Sequence, residues 1–481
     1  MQTASKKVIT GWAMYDWANS VYNLVITTTF FPIYFTAIAK DNSGTDIVTF
    51  LGRKFVNSSL YDYSLAAAYL LIAISYPILT SIADTRGNKK NFMRFFCYMG
   101  AIGCSMLFFF HDVSQLWLGI LSFMMASMGF VGSLVFYNAY LPEIAAPEDQ
   151  DRVSAKGFAF GYIGSVLMQL LGFGLVMFMK GNEGEATRIT FLLVGIWWAG
   201  WAQLTFARLP KMVSVPLKKG NIFTDGFKEV KKVYAEVKKM PVLKRFLRGF
   251  FFYSMGVQTV MLAATLFGSK LLRLADTKLI ITVVLIQIVA IAGAYIMSRL
   301  SSKFGNFKVL MGVVVFWILI CFAAYATANL AEPLKPYHDQ IDMLVKKKDA
   351  LEKQPVFSKD EAAAIGVQVE KLQAELDPRQ QPIEIRFYLL AMAVGLVMGG
   401  IQSLSRSTYS KLMPETKDTA SYFTYYDLSE KIAIVIGMFS FGYIEEWVGM
   451  KYSILSLIIF FMIGAAWLYS ALLAQRKQAL G

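Results

Sequence analysis

A carboxylate and two amides lie inside an apolar stretch near the start of the chain. The stretch Trp12–Ile38 contains Asp16, Asn19 and Asn23 at spacing i, i+3 and i+7, which places all three on one face of a helix. About 20 apolar residues suffice to cross a bilayer, and an ionised carboxylate facing lipid would cost roughly 2.5 kcal/mol or more. This face must therefore look into protein or a water-filled cavity, as it would in a pore or a carrier.

The residue types on this face suggest two kinds of chemistry. Asp16, flanked by the aromatic Tyr15, can carry a proton or serve as a gate, and the sequence leaves both open. Asn19 and Asn23 lie deeper, and because an amide both donates and accepts hydrogen bonds, the pair suits a zwitterionic ligand. Hydrogen bonding between packed helices is the alternative for these amides. Tyr22 lies beside the same face.

Four charged residues near the end of the chain form a second candidate group. Arg406 lies within an apolar segment, where a guanidinium needs a carboxylate partner or an anionic ligand. Asp427 and Lys431 are spaced i, i+4, with the acid towards the N-terminus, the favourable order for a helical pair; Glu430 lies next to Lys431. We expect the four to form an ion network on the cytoplasmic side, and direct ligand binding by Arg406 is the alternative.

Three more polar residues complete the set of candidates. Asn138 and Gln402 lie within apolar segments and are candidates for contact with a substrate or a coupling ion. Lys156 lies near the start of another apolar segment, where it would either anchor a loop or pair with Asp16.

The composition places the chain among membrane proteins that cross the bilayer many times. Of its 481 residues, 56% are hydrophobic and 17% are charged, and the mean hydropathy is +0.48, whereas soluble domains carry about 25% charged residues. The net charge of +14 is explained by cytoplasmic loops that collect Lys and Arg, so no nucleic-acid partner is inferred. The sequence contains no phosphate-binding loop, nucleophile or ligand cluster, so we expect no enzyme, cofactor or metal site.

Twelve apolar segments can be counted along the sequence. They are 12–38, 61–82, 92–111, 115–139, 155–179, 188–208, 247–270, 277–299, 307–328, 386–411, 421–446 and 452–474. An even number of spans puts both termini on one side, and two basic loops, 84–94 and 210–248, fall on that side. By the positive-inside rule that side is the cytoplasm.

Two short motifs recur, which predicts two halves of six spans each. The Gly-Asn pair at Gly87 recurs at Gly305, an offset of 218 residues. The motif YNAYLPE, which begins at Tyr137, recurs as YSKLMPE at Tyr409, an offset of 272 residues. The difference equals the length of a hydrophilic insert, 331–384. We expect an N-terminal bundle, 1–209; a basic amphipathic cytoplasmic linker, 210–246; and a C-terminal bundle, 247–481, in which the insert forms a helical hairpin outside the membrane.

The loop after the second span resembles the signature loop of the major facilitator superfamily. It reads ADTRGNKK from Ala83 to Lys90. The resemblance implies that Asp84 is a gate residue that holds the cytoplasmic side shut against span eleven, with Gly87 and Lys89 in support. In the second copy Ser302 takes the place of the aspartate, which implies a weaker gate in that half.

Four longer motifs resemble the vacuole-effluxer branch of that superfamily, which includes fungal vacuolar amino-acid exporters and bacterial relatives. They are WAMYDWANSVYN, FYNAYLPEIA, RVSAKGFAFGYIGS and QSLSRSTYSKLMPE, in that order along the chain. The resemblance implies an all-α major facilitator fold of twelve transmembrane helices, efflux or exchange of small polar solutes, and a monomer. The membrane would be a bacterial inner membrane, or a vacuolar membrane in a eukaryote.

The sequence is therefore consistent with three functions. The first is a secondary transporter that moves a small polar metabolite, amino-acid-like or otherwise zwitterionic, by alternating access, with or without protons as the coupling ion. The second is a translocator of lipids or amphiphiles on the same fold. The third is a receptor or scaffold that does not transport and that uses the outer hairpin.

Overall fold

Each of the twelve apolar segments folds as a helix. In a computed structural model the structure describes residues 2–40, 44–86, 88–210, 222–352 and 359–480. The helices are α1 (Lys6–Val21), α2 (Phe31–Ile38), α3 (Asn57–Arg86), α4 (Lys89–Met106), α5 (Leu116–Ala139), α6 (Leu141–Ile144), α7 (Gln150–Phe178), α8 (Glu183–Arg208), α9 (Ile222–Lys239), α10 (Pro241–Leu266), α11 (Asp276–Phe304), α12 (Asn306–Ala331), α13 (Lys335–Glu352), α14 (Lys359–Leu412), α15 (Thr419–Val448) and α16 (Met450–Leu480).

Ten helical stretches of the described residues are long and apolar enough to cross a membrane. The helices α10 and α15 are not among the ten, although they have 26 and 30 residues, which at 1.5 Å per residue is enough for a bilayer. Helix α15 carries three charged residues in its middle, Asp427, Glu430 and Lys431. Counting both helices gives the predicted twelve spans, which stays a prediction.

The first span is a single helix whose middle turns are wider than an α-helix. Between α1 and α2, residues Tyr22–Phe30 form a π-helix, and the N–H of Phe31 donates to the carbonyl of Ile26, five residues back. Such π stretches are rare in proteins, and many of those that occur lie at functional sites. They change the direction and pairing of backbone carbonyls. The sequence analysis predicted an ordinary helix here.

A small β-hairpin joins the first and second spans and is an addition to the all-α prediction. Strands β1 (Ile47–Phe50) and β2 (Arg53–Val56) pair antiparallel. The two residues between them, Leu51 and Gly52, both have positive φ angles, of 50° and 76°. This backbone is the one that a tight two-residue hairpin turn requires.

The helices pack as two sets that meet along six helices. In the N half (α1–α8), α1 packs against α7 and α8, and α4 packs against α5 and α8; in the C half (α10–α16), α10 packs against α16 and α15, and α11 packs against α14. The halves meet where α7 contacts α11 and α14, and where α3 and α5 contact α15. Small residues permit these approaches: a Cβ at Gly161 of α7 would lie 2.5 Å from Ser20 Oγ of α1.

The linker and the insert are also helical where they are described. Helix α9 packs against α3, α10 and α15, with Val233 and Val237 buried; residues 211–221 lie outside the described residues. In the insert, α13 runs antiparallel to the first part of α14, since Arg379 donates to the hydroxyl of Tyr337 at 2.9 Å while Lys347 lies 3.6 Å from Glu361. The positions of α9 on the membrane surface and of the insert outside the membrane stay predictions.

Candidate functional site

Asp16 and Arg406 form a buried ion pair between the two halves. Both terminal nitrogens of the Arg406 guanidinium lie 3.3 Å from Asp16 Oδ2, which also accepts a 2.7 Å hydrogen bond from the hydroxyl of Tyr137. The two residues are only 5% and 3% exposed. Because each charge depends on the other for compensation in a site shielded from water, loss of either one is costly.

The remaining donors of Arg406 are also satisfied from the N half. Its Nε donates to Ser154 Oγ at 2.9 Å, and Nη2 donates to the carbonyl of Ser154 at 2.9 Å. Its Nη1 lies 3.3 Å from Asn138 Oδ1. The guanidinium carbon lies 4.8 Å from the ring centroid of Trp12 and 4.3 Å from that of Phe158, distances at which aromatic rings attract a cation. The C half thus inserts one cation into a socket made by the N half.

The backbone at this socket approaches so closely that only glycine fits. A Cβ at Gly157 of α7 would lie 2.5 Å from Asp16 Oδ2 and 2.9 Å from both Arg406 Nη2 and the Tyr137 hydroxyl. The absence of a side chain at this position therefore leaves the space that the ion pair occupies.

The structure gives Arg406 a different partner from the one expected. The sequence predicts a network of Arg406 with Asp427, Glu430 and Lys431, but α14 packs against α7, which packs against α1, so its carboxylate comes from Asp16. On α15, Glu430 accepts from Gln258 at 3.1 Å and lies 3.4 Å from Lys431.

Two other expected pairings also differ. Asp427 is buried, and its Oδ2 has no hydrogen-bond partner among the described residues. Lys156 does not pair with Asp16: its ammonium donates to Thr10 Oγ1 at 2.7 Å and lies 5.4 Å from the ring of Phe160.

The other candidates on the first span are buried to different extents. Asn19 is buried, and its Nδ2 has no hydrogen-bond partner in the described part of the chain, while Asn23 is half-buried at the start of the π-helix. Tyr22 shares a 2.6 Å hydrogen bond with Ser127. Tyr15 packs against the ring of Tyr137, with 5.3 Å between ring centroids. Tyr15 and Tyr22 therefore support the helix packing, and solute contact by the two amides stays a prediction.

Polar residues on one face of α7 contact the C half at successive depths. Ser154 Oγ donates to the carbonyl of Ser403 at 2.8 Å, the Tyr162 hydroxyl donates to Gln402 Oε1 at 2.6 Å, and Gln169 Oε1 accepts from Gln287 at 2.7 Å. At 1.5 Å per residue, Gln169 lies about 22 Å farther along the helix than Ser154. The contact between the halves therefore continues well into the span, and its inner layers are lined by amides.

The Asp84 carboxylate caps the N-terminus of α15 from the other half. Its oxygens accept from the backbone N–H of Ala420 at 3.2 Å, and from the N–H and hydroxyl of Ser421, both at 2.8 Å. A carboxylate at this position satisfies N–H groups that the helix leaves unpaired. Lys89 lies 3.0 Å from Asp84 and 2.7 Å from Glu143, so the cap is charge-compensated. This geometry places Asp84 against span eleven; Gly87 lies outside the described residues.

A second acid of the N half makes a similar contact with other helices of the C half. Asp151, at the start of α7, accepts from Ser301 Oγ at 2.7 Å and from Asn306 Nδ2 at 2.8 Å, and it lies 2.7 Å from the ammonium of Lys411. All three donors belong to the C half, whereas Ser302 donates only to Arg299 within its own helix. The acid that the second copy of the loop lacks is thus supplied by the facing helix.

Several of these residues were not singled out from the sequence. Asp151 immediately precedes a quoted motif, and Tyr137 lies inside another. Gln287 interrupts the apolar run LIITVVLIQIVAIAG, a signal that could have identified it. Their partners lie more than 100 residues away in sequence, so the contacts themselves required the structure.

The described residues offer no metal site at the ion pair. Among them, no group of three or more His, Cys, Asp or Glu side chains could hold a metal ion. A cavity of about 330 Å³ lies elsewhere, at the base of the insert in the C half. Lys270, Arg273, Lys335 and Lys451 line it, but acids pair with three of these four cations, so we do not assign a ligand to it.

Comparison with known proteins identifies the family. The family model described as "Vacuole effluxer Atg22 like" matches residues 4–345 and 378–479. The chain belongs to this family. The two matched stretches leave out 346–377, which lies within the insert.

Two relatives cover more than nine-tenths of the chain. The uncharacterized MFS-type transporter YxiO of Bacillus subtilis is 27% identical over 461 residues, which cover 94% of this chain and 92% of that protein. Autophagy-related protein 22 of Eremothecium gossypii is 22% identical over 516 residues, which cover 98% of this chain and 92% of that protein.

Solved structures establish the fold. The human organic anion transporter MFSD10 (TETRAN) superposes with a TM-score of 0.66 at 11% identity, over 96% of this chain and 99% of that one. At this identity the likeness concerns the fold alone. The Atg22-like chain is therefore a multi-pass membrane transporter with the major facilitator fold, and such transporters are generally not enzymes.

Proposed function

We propose that the protein is a secondary active transporter that moves a small polar metabolite, amino-acid-like or otherwise zwitterionic, by alternating access. The single observation that carries the proposal is the buried Asp16–Arg406 ion pair, which joins the two halves rather than stabilising either one. A pair of this kind can form only while one end of the bundle is closed. When the halves part at that end, both charges return to water, so the contact can be made and broken in each cycle.

The amide layers beyond the ion pair favour a polar solute. Gln169, Gln287 and Gln402 lie between the halves, and carboxamides donate and accept hydrogen bonds without carrying charge. A lipid translocator would require an apolar surface at these positions. The amides are therefore the candidate solute contacts, together with Asn19 and Asn23.

Asp16 is the candidate proton carrier within this scheme. Only the ionised carboxylate attracts Arg406, so binding of a proton would remove the attraction and favour opening of this end. Because a ligand shifts a conformational equilibrium by its differential affinity for the two states, a proton bound preferentially in the open state would drive the cycle. We further propose that the closed end is the cytoplasmic one, with both termini on that side, and that the protein acts as a monomer in the bilayer.

Uptake into proteoliposomes tests the proposal. Protein reconstituted without other components should accumulate one or more radiolabelled amino acids, and the rate should depend on an imposed pH gradient. Asp16→Asn should abolish that dependence, whereas Asp62→Asn, which alters an exposed carboxylate on α3, should not. An unchanged pH response in Asp16→Asn removes Asp16 from the coupling mechanism. Failure of the wild type to move any of the twenty common amino acids contradicts the substrate class.

A further inference from the structure

Gln287 of α11 is buried, and only the nitrogen of its side-chain amide has a hydrogen-bond partner among the described residues. It is 1% exposed. Its Nε2 donates to Gln169 Oε1 at 2.7 Å, but its Oε1 is buried and has no partner among the described residues. Buried polar atoms of native proteins are nearly always paired, so an unpaired acceptor calls for an explanation.

The direction of this hydrogen-bond chain is fixed by a backbone carbonyl. Gln169 Nε2 donates to the carbonyl of Leu24 at 3.0 Å and to Thr29 Oγ1 at 2.9 Å. A carbonyl can only accept, so Gln169 must direct its amide nitrogen towards Leu24 and its amide oxygen towards Gln287. Gln287 must then present its own nitrogen to Gln169. A flip of either amide would set two acceptors or two donors against each other.

The π-helix of the first span supplies the fixed end of the chain. Leu24 lies within Tyr22–Phe30, and its carbonyl also accepts from the hydroxyls of Thr28 and Thr29 at 2.9 Å and 2.8 Å. The widened turns thus present a carbonyl to which a side chain of α7 can donate. The chain of donors and acceptors begins in the N half and ends at an acceptor of the C half.

We propose that Gln287 Oε1 accepts a hydrogen bond from an N–H group of the transported solute, and that Gln287 therefore selects solutes that bear a primary amine. The inference rests on the proposed function and adds to it a specificity-determining residue. The oxygen is neutral. Its neighbour Gln169 lies about 22 Å farther along α7 than Ser154, which contacts Arg406, so the oxygen recognises a donor without competing with Arg406. Separation of the halves would part Gln287 from Gln169 and open the site.

Matched ligands separate this role from a structural one. Dissociation constants of purified protein in detergent can be measured by thermal-shift titration, since a ligand stabilises the state that binds it. The probes are L-leucine with its deamino analogue 4-methylpentanoate, and L-alanine with propanoate. Gln287→Met keeps most of the side-chain volume and removes the acceptor, and Gln287→Asn keeps an amide but withdraws it by one methylene group.

Each variant should weaken binding of the amines by roughly 10- to 100-fold, the loss expected for a hydrogen bond to a charged donor. Binding of the deamino analogues should change little, so the preference for the amine should fall. Gln203→Met is the matched control, because Gln203 is exposed on α8 and its Nε2 donates to the carbonyl of Ala199 within its own helix. This control should leave the preference unchanged.

Three results would overturn the inference, and they differ in what else they affect. If the wild type binds the amines and both Gln287 variants keep its preference over the deamino analogues, Gln287 Oε1 does not contact the solute, and the proposed transport function stands. If both variants weaken amine and deamino ligands equally, the residue acts in packing or through a bound water. If the wild type binds none of the four probes, both this inference and the proposed substrate class fail.

Discussion

Replacing Arg406 by Met tests whether the ion pair holds one end of the bundle closed. Met keeps an unbranched side chain and removes the guanidinium, so Asp16 would remain buried with the Tyr137 hydroxyl as its hydrogen-bond donor. The variant also leaves Ser154 and Asn138 without the donor that contacts them in the closed conformation.

The expected size of the effect follows from burial. Removing one partner of a buried ion pair costs about 3–5 kcal/mol, and 1.4 kcal/mol corresponds to a factor of ten. In the open conformation water solvates Asp16, so the cost falls on the closed conformation alone. We therefore expect the ratio of closed to open molecules to fall by roughly 10²- to 10⁴-fold.

Spin-label distances across the closing end measure this ratio. Glu148 precedes α7, and Lys303 lies near the end of α11; both side chains are exposed. Because Asp151 contacts Ser301 at the same end, labels on cysteines at these two positions report separation of the halves. The native Cys residues are buried. Arg406→Met should shift the distance distribution from the short population to a longer one.

Two further variants make this result decisive. Arg245→Met removes a guanidinium whose Nη1 donates to the carbonyl of Ser470 within the C half, so its distance distribution should match the wild type. The double variant Asp16→Asn/Arg406→Met removes the uncompensated charge and should recover part of the closed population. If Arg406→Met gives the same distribution as Arg245→Met, the ion pair does not control closure, and the reasoning from its burial is wrong.

Four other perturbations test the contacts between the halves and the insert. Gly157→Ala should favour the open conformation in the spin-label assay, because its Cβ would lie 2.5 Å from the Asp16 carboxylate. Gly174→Ala on the same helix is the control. A Cβ there has nothing within 4 Å, so this variant should gain about 1 kcal/mol of helix stability in thermal unfolding. Asp84→Ala should open the same end by a factor of about 5 to 30, the loss of an N-cap worth about 1–2 kcal/mol. Asp151→Ala should add to it independently in the double variant, and strong non-additivity would show that the two contacts are one cooperative unit. Replacing 346–377 by a short flexible linker should leave solute binding intact, as measured by thermal shift, and loss of binding would assign that segment a role in the site.

The sequence predicted the elements well and their partners only in part. The lengths of the apolar segments located the helices, because a helix that crosses the bilayer needs about 20 apolar residues. The sequence also predicted that Arg406 needs a carboxylate. It could not say which one, since Asp16 lies 390 residues away and its approach depends on how α14 packs against α7. The nearer acids of α15 were the natural choice by sequence distance, and their part in a network with Arg406 stays a prediction.

Backbone features were the least predictable part of the site. The residues of Tyr22–Phe30 carry no Gly or Pro that would mark a distorted turn, and one carbonyl of the π-helix, that of Leu24, accepts a hydrogen bond from Gln169 of another helix. In the insert, Pro378 and Pro382 are residues of a type that usually kinks or ends a helix, yet both lie inside the 54-residue helix α14. This helix packs against α13, a contact that no local pattern could indicate.

The carboxylates that join the two halves all come from the same half, a pattern that no single pair reveals. In the described residues four carboxylates accept hydrogen bonds across the halves, and all four, Asp16, Asp84, Glu143 and Asp151, belong to the N half. Their donors belong to the C half and are a guanidinium, hydroxyls, backbone N–H groups, an amide and an ammonium. When this end opens, the N half would therefore present four acids, two of which keep Lys89 as their cation. The other two, Asp16 and Asp151, would face Arg406 and Lys411 of the C half. Opposite charges attract each other at a distance and favour reclosure, so these two pairs act together even though each contact is local.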